Sequence, residues 1–210
     1  MPCLAHPTAG LACSSRPPSA ILPRSTLPWP TALAIPYPRE LTAYSRGLSK
    51  RSFGPATAKY RELGTAANLL TFNRLGALPT RNFQSGTFDD AASISPEEIR
   101  TTHSRTRASC VACTIGCEHI YGLGDERGVR LEYESLFALG SLCGISDPNT
   151  VLRASRLCDD LGIDTISAGG TIAFAMECVQ RGWLDEPWLT FGSSDALLPK
   201  VSQGSSSHPR

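Results

Sequence analysis

Three cysteines, Cys110, Cys113 and Cys117, lie within one eight-residue stretch of the chain with the spacing Cys-x-x-Cys-x-x-x-Cys. Spacings this short allow a single turn to aim all three sulfur atoms at one point. Iron–sulfur clusters are commonly held by thiolates gathered on a tight loop, whereas zinc usually takes two separated pairs of ligands. The motif therefore predicts a metal ion or an iron–sulfur cluster, with a buried patch of free cysteines as the alternative.

The composition of the whole chain narrows the setting in which such a site would work. The 210 residues carry a formal charge of +1, and 41% of them are hydrophobic, which suits one globular domain with a real core plus tails. Near-neutral charge offers no electrostatic basis for binding nucleic acid. Eight cysteines could form disulfides only in an oxidising compartment.

Nothing in the sequence directs the chain to such a compartment. Its start, residues 1–6, lacks a basic region, and prolines interrupt every apolar run that could serve as the core of a signal peptide. No apolar stretch approaches the length of a membrane span. We therefore expect a reduced, cytoplasmic protein that does not engage a membrane.

The two ends of the chain differ from its middle. Residues 1–38 contain nine prolines and no Asp or Glu, so we expect this Pro/Ser-rich segment to be disordered. Residues 199–210 read as a disordered tail rich in Ser and Gly. The domain itself is predicted to span residues 39–198.

Helix-start and helix-stop signals recur through that middle region. Ser95 and Pro96 predict a helix that runs to about His103, and Asp147 with Pro148 predicts another that ends at Gly162. Further helical patterns occupy residues 55–78, 131–142 and 165–184. The third of these carries Gly169-Gly170, which would permit a close approach of another backbone. Because no convincing two-residue alternation is found, the predicted fold class is all-α and multihelical.

Three segments in this order and spacing resemble the aldehyde ferredoxin oxidoreductase family. They are Leu63–Ala67 with Leu78–Phe83, the cysteine stretch Cys110–Cys117, and Glu132–Leu136 followed by Asp159–Gly169. The resemblance implies an oxidoreductase that converts small aldehydes to carboxylic acids and passes electrons to ferredoxin. It also implies tungsten or molybdenum on two pterins beside a [4Fe–4S] cluster.

The resemblance covers residues 40–198 and corresponds to the middle, helical domain of that family. The family's N-terminal β domain has no counterpart here, and neither does the last helical domain, which supplies the fourth cluster cysteine. The chain is therefore expected to be a fragment of such an enzyme, inactive alone, and a second polypeptide is a possible source of the missing domains. The alternative function is a non-catalytic helical remnant or a zinc-stabilised binding module.

By the same resemblance, Cys110, Cys113 and Cys117 ligate three irons of the cluster. A [4Fe–4S] cluster requires four protein ligands, and the local candidates for the fourth, none favoured, are Cys143, Cys158, Cys178 and His119. Cys143 and Cys158 lie in apolar helical patterns, where a free cysteine packs as a small hydrophobic residue.

Asp159, Gly162 and Asp164 match the family's Asp-x-x-Gly-x-Asp pterin motif. A carboxylate can accept hydrogen bonds from the exocyclic amine and the ring N–H of a pterin together, and glycine leaves room for the ring. The same residues also suit an ordinary helix end, with Gly162 in the left-handed conformation.

Glu134 is the candidate catalytic acid, because the matching family segment places a glutamate beside the metal. Such a carboxylate could take the proton released when an aldehyde hydrate is oxidised. Glu132 is the nearby competitor for that role, and an ordinary solvated helix glutamate is the alternative for Glu134.

Overall fold

The computed structural model describes residues 37–110, 113–125 and 127–198. Residues 1–38 and 199–210 were expected to be disordered. Apart from Tyr37 and Pro38, these two segments lie outside the described residues. The chain divides into two units, residues 1–42 and 43–210. Helix α1 (Pro38–Ser52) contains the boundary between the two units.

Short helices open this unit and follow the glycine signals of the sequence. Helix α2 (Ala58–Leu63) ends at Gly64, whose φ of 69° and ψ of −165° are accessible to glycine. A single 3₁₀ turn, Thr65–Asn68, separates it from α3 (Leu69–Arg74). Helix α4 (Pro96–Thr102) begins as predicted, because the Ser95 side chain accepts a hydrogen bond from the Glu98 backbone N–H.

A three-stranded antiparallel sheet follows, and the sequence did not predict it. Its strands are β1 (Arg105–Ala108), β2 (Glu118–Tyr121) and β3 (Val129–Arg130), in the order β1-β2-β3. Strand β1 is almost wholly exposed, and the buried positions of β2 include His119, so neither strand shows apolar alternation. The fold is helix-rich, as predicted, but it is not strictly all-α.

Three further helices build the core. Helix α5 (Tyr133–Leu139) is followed by a 3₁₀ turn, Ser141–Cys143, instead of continuing to residue 142 as predicted. Helix α6 (Pro148–Leu161) starts at its Asp147 cap and ends at Gly162 in the left-handed conformation, and both ends were predicted. Helix α7 (Thr165–Gln180) ends four residues before the predicted position 184.

Helices α5 and α7 pack closely because Gly169 lacks a side chain. A Cβ atom at Gly169 would lie 2.3 Å from the carbonyl oxygen of Ala138, whereas one at Gly170 would meet no atom within 4 Å. The predicted close approach is thus confirmed at the first glycine of the pair. The core around this contact contains fully buried side chains from several helices, among them Leu69, Leu136, Leu139, Leu152 and Met176.

Within the described part of the chain, no helix combines the length and the apolar character needed to cross a bilayer.

Candidate functional site

The cysteine motif forms the connection between strands β1 and β2. The backbone N–H of Cys113 donates to the Cys110 carbonyl at 3.0 Å, which makes a tight turn over the first two cysteines. Gly116 then adopts a φ of 62°, and a Cβ atom there would lie 2.8 Å from Ser109 Oγ. Cys110 is exposed, while Cys113 and Cys117 are half-buried. The loop is therefore curled upon itself, with its three thiols at or near the surface.

The three thiols interact electrostatically. Burial raises the pKa of the Cys117 thiol above its ordinary value, the carboxylate of Glu132 raises it further, and the thiolates of Cys113 and Cys110 add smaller contributions of the same sign. Such a site resists carrying three negative charges unless a cation neutralises them. That all three sulfurs face one shared space stays a prediction.

The donor set of the motif comprises three thiols on one short hairpin connection. Across residues 37–110, 113–125 and 127–198, no three His, Cys, Asp or Glu side chains are grouped so that they could hold one metal ion. A [4Fe–4S] cluster binds each cysteine through a different iron atom. The cluster and the zinc site both stay predictions.

His119, a candidate fourth ligand, is fully buried behind the loop. Its Nε2 donates to the Arg61 carbonyl at 3.2 Å, and its buried Nδ1 has no hydrogen-bond partner among the described residues. Burial lowers the pKa of the imidazole, and the nearby guanidiniums of Arg105 and Arg107 lower it too, so the ring is neutral at pH 7.

Two other candidates for the fourth ligand are core residues. Cys143 is fully buried and its thiol lies 3.4 Å from the Ala138 carbonyl oxygen, and burial raises its pKa to about 12. Cys158 is also buried within the hydrophobic core. Both pack as small hydrophobic side chains, in agreement with the apolar patterns around them.

The Asp-x-x-Gly-x-Asp segment joins α6 to α7. Gly162 is the left-handed residue that ends α6, and a Cβ atom there would meet nothing within 4 Å. Asp164 caps α7, since its carboxylate accepts from the Ser167 N–H at 2.7 Å, and this hydrogen bond lowers its pKa. The carboxylate of Asp164 thus stabilises the start of α7, while the space next to Gly162 is open.

Asp159 differs from Asp164 because its carboxylate makes no hydrogen bond or ion pair with the described residues, and only its backbone carbonyl accepts, from the Gly162 N–H. The residue is exposed as a whole, and partial burial of its carboxyl group raises the pKa, against the opposing effects of Arg130 and Arg127. An acid in this state gains from any ligand that donates hydrogen bonds to it.

A single open cavity of about 300 Å³ brings the predicted acids together. Glu134, Asp159 and Asp164 all line it, although they come from α5, the end of α6 and the cap of α7. The remaining residues that line the cavity come from several helices, a strand and loops. They are Arg130, Glu132, Ser135, Ser155, Ile163, Thr165 and Ile166. The tertiary structure therefore unites two motifs that lie about 25 residues apart in the sequence.

A threonine connects this cavity to the segment that contacts the cysteine loop. Thr65 Oγ1 donates to Glu132 at 3.0 Å and accepts from the Tyr133 N–H at 3.0 Å. Its neighbour Gly64 contacts Cys117, because a Cβ atom there would lie 2.9 Å from the Cys117 carbonyl oxygen. In the sequence Thr65 stood out only as part of the Leu63–Ala67 segment, and no local signal indicated these long-range contacts.

Together these features define a helix-rich domain with a cysteine hairpin beside an acidic cavity. A sequence model described as aldehyde ferredoxin oxidoreductase, domains 2 and 3, matches residues 46–203. The chain therefore belongs to the aldehyde ferredoxin oxidoreductase family, as the motifs predicted.

Curated relatives agree with this assignment. The chain is 39% identical over 143 residues to the tungsten-containing aldehyde ferredoxin oxidoreductase of Thermococcus kodakarensis, an alignment that covers 64% of the chain and 23% of the relative. It is 38% identical over 145 residues to the protein of the same description from Pyrococcus abyssi, covering 64% and 24%. An aliphatic sulfonate oxidoreductase, WOR-like subunit, of Pyrococcus furiosus is 32% identical over 139 residues, covering 63% and 22%. The chain thus spans about a quarter of the length of these relatives.

Proposed function

We propose that this chain is the cluster-binding and pterin-binding helical part of an oxidoreductase that converts aldehydes to carboxylic acids in the cytoplasm, with ferredoxin as electron acceptor. The observation that carries the proposal is the cavity that gathers Glu134, Asp159 and Asp164. Family membership supplies the chemical class, and the relatives from Thermococcus kodakarensis and Pyrococcus abyssi are described as tungsten-containing.

Cys110, Cys113 and Cys117 would hold a [4Fe–4S] cluster, and the cavity would take one edge of a tungsto- or molybdopterin. When bound, the metal–pterin group supplies the two-electron oxidation and the cluster supplies single-electron transfer. Asp159 would accept hydrogen bonds from the exocyclic amine and ring N–H of the pterin, because no described residue bonds to its carboxylate. Gly162 would leave room for the ring.

Glu134 would act as the acid–base residue. Oxidation of an aldehyde hydrate to the acid releases two protons with the two electrons, and a carboxylate oxygen of Glu134 is exposed to the cavity and able to take one of them. Glu132 is a poorer candidate, since it already accepts a hydrogen bond from Thr65.

A partner polypeptide with the remaining domains belongs to the proposal. Several large apolar side chains of α7 and the segment after it are exposed, including Phe174 at 59%, Trp183 at 70% and Trp188 at 52%. Exposed aromatic groups of this kind mark surfaces that other protein covers.

Anaerobic reconstitution tests the proposal. The full chain is incubated with ferrous iron and sulfide, and iron, sulfide and zinc are measured together with the EPR spectrum after reduction. We expect an oxygen-sensitive cluster whose iron is lost in Cys117→Ser and kept in the matched variant Cys13→Ser, since Cys13 is not among the candidate ligands. Stoichiometric zinc in place of iron, or equal iron in both variants, would contradict the cluster assignment.

The catalytic part needs the remaining domains, a pterin source and tungstate or molybdate in the same mixture. Aldehyde-dependent dye reduction is expected to fall at least about 100-fold in Glu134→Gln. The matched variant Glu98→Gln changes an exposed first-turn glutamate of α4 and should retain activity. Equal activity of the two variants would remove Glu134 from the mechanism.

A further inference from the structure

Exposed cations flank the cysteine loop on two sides. Lys50 and Arg51 end helix α1, and Arg105 and Arg107 project from strand β1, which is the edge of the sheet. All four side chains are exposed. We call them the basic patch.

Both halves of the patch are attached to the cysteine loop. The Thr114 hydroxyl donates to the carbonyl of Ser49, the residue before Lys50, at 3.4 Å. On the other side, a Cβ atom at Gly116 would lie 3.2 Å from Arg107 Nε, so this side chain rests against the loop backbone.

No carboxylate neutralises the patch within the described residues. Arg107 donates to the Arg61 carbonyl at 3.2 Å and Arg105 donates to the Glu62 carbonyl, both neutral acceptors at the end of α2. Two acids close to the arginines are already paired. Glu62, whose carbonyl accepts from Arg105, pairs with Arg100, and Glu118, opposite Ala108 in the sheet, pairs with Arg130. A guanidinium has five N–H donors, so the arginines retain donors that face solvent.

From this charge and its position we propose that the basic patch is the docking surface for an acidic electron-carrier protein, an inference that rests on the proposed function of the adjacent loop. Complementary charge steers such a partner to the site and orients it there. Cys110 is the exposed thiol of the loop, and electron transfer falls steeply with distance, so a carrier seated on the patch would lie beside the cluster.

Binding of a small acidic bacterial ferredoxin to the full chain tests the inference, by calorimetry under argon at 50 mM and 300 mM salt. Two double charge reversals are compared, Lys50→Glu with Arg51→Glu and Arg105→Glu with Arg107→Glu. Among the described residues, the side chains of the first pair make no hydrogen bond or ion pair, so its effect does not depend on the carbonyl contacts that Arg105 and Arg107 make. The matched control, Arg74→Glu with Arg153→Glu, changes the net charge equally at exposed positions on α3 and α6.

At 50 mM salt we expect each patch variant to raise the dissociation constant about tenfold and the control to change it less than about twofold. At 300 mM salt the difference between the patch variants and the control should disappear. Equal weakening by the control would overturn the inference, and so would displacement of ferredoxin by a DNA duplex at equal charge concentration. Iron and sulfide are counted in the same samples. A chain that takes up no iron yet binds ferredoxin through the patch contradicts only the proposed function, whereas iron uptake with patch-independent binding contradicts only the docking surface.

Discussion

Gly64 lies directly against the backbone of Cys117, so that a Cβ atom at position 64 would be 2.9 Å from the Cys117 carbonyl oxygen and 3.3 Å from Cγ of His119. Its φ of 69° and ψ of −165° fall in a region that is essentially restricted to glycine. The end of α2 therefore holds the last cysteine of the loop through a contact that no side chain could share.

Gly64→Ala is expected to destabilise the fold by about 2–4 kcal/mol, from backbone strain and the clash combined. It should also reduce iron uptake by the cysteine loop, since the Cys117 carbonyl must move. Urea unfolding measures the first effect and iron analysis the second. Gly182→Ala is the control, because Gly182 has a φ of 72° but open space around its Cβ position. Similar losses in the two variants would show that strain, not contact, dominates at Gly64.

Gly169→Ala should lower the free energy of unfolding by about 2–3 kcal/mol, because its Cβ would lie 2.3 Å from the Ala138 carbonyl oxygen and force α5 and α7 apart. Gly170→Ala, one residue along the same helix, should raise it by about 0.5–1 kcal/mol, since it meets no atom within 4 Å and alanine favours a helix. Thermal unfolding of the two variants beside the parent protein measures both. An equal effect of the two substitutions would refute this packing.

Asp159→Asn should stabilise the protein at neutral pH. Burial raises the pKa of Asp159 above its ordinary value of 3.8, so the unfolded chain ionises first as pH rises. As the pH rises from about 3.8 to the higher pKa of the folded state, ionisation of Asp159 therefore lowers the free energy of unfolding of the parent protein. The asparagine variant has no such loss. The urea midpoint of the asparagine variant, minus that of the parent protein, should increase as the pH rises from 3 to 7. A gap that is constant with pH would contradict this origin.

The loop from Thr80 to Ser85 holds three consecutive non-glycine residues in the left-handed region, Arg81, Asn82 and Phe83, with φ values of 45°, 50° and 64°. Phe83 is 69% exposed. Phe83→Asn should therefore be neutral or stabilise by a few tenths of a kcal/mol, because asparagine tolerates this conformation. Phe83→Val should cost about 1–2 kcal/mol, since a β-branched side chain does not. Thermal unfolding of the pair checks this, and the opposite order of stability would exclude strain at position 83.

Local signals account for what the sequence predicted correctly in the fold. Ser95 and Asp147 accept hydrogen bonds from N–H groups two or three residues ahead, and Gly162 adopts its left-handed conformation within the last turn of α6. Such features depend on a few neighbouring residues, so they can be read from the chain directly. The resemblance that pointed to the family likewise rests on short motifs and their spacing.

The sheet and the assembly of the site depended on contacts between distant residues. Strand β1 has no buried face, so only its pairing with β2 makes it a strand. Glu134 and Asp159 share a cavity because α5 and α6 pack together, and Thr65 reaches Glu132 across 67 positions of sequence. The sequence by itself determined which residues could do chemistry, since residue type and spacing are local. Which of them share one site was decided by tertiary packing, because that depends on how the helices and the sheet meet.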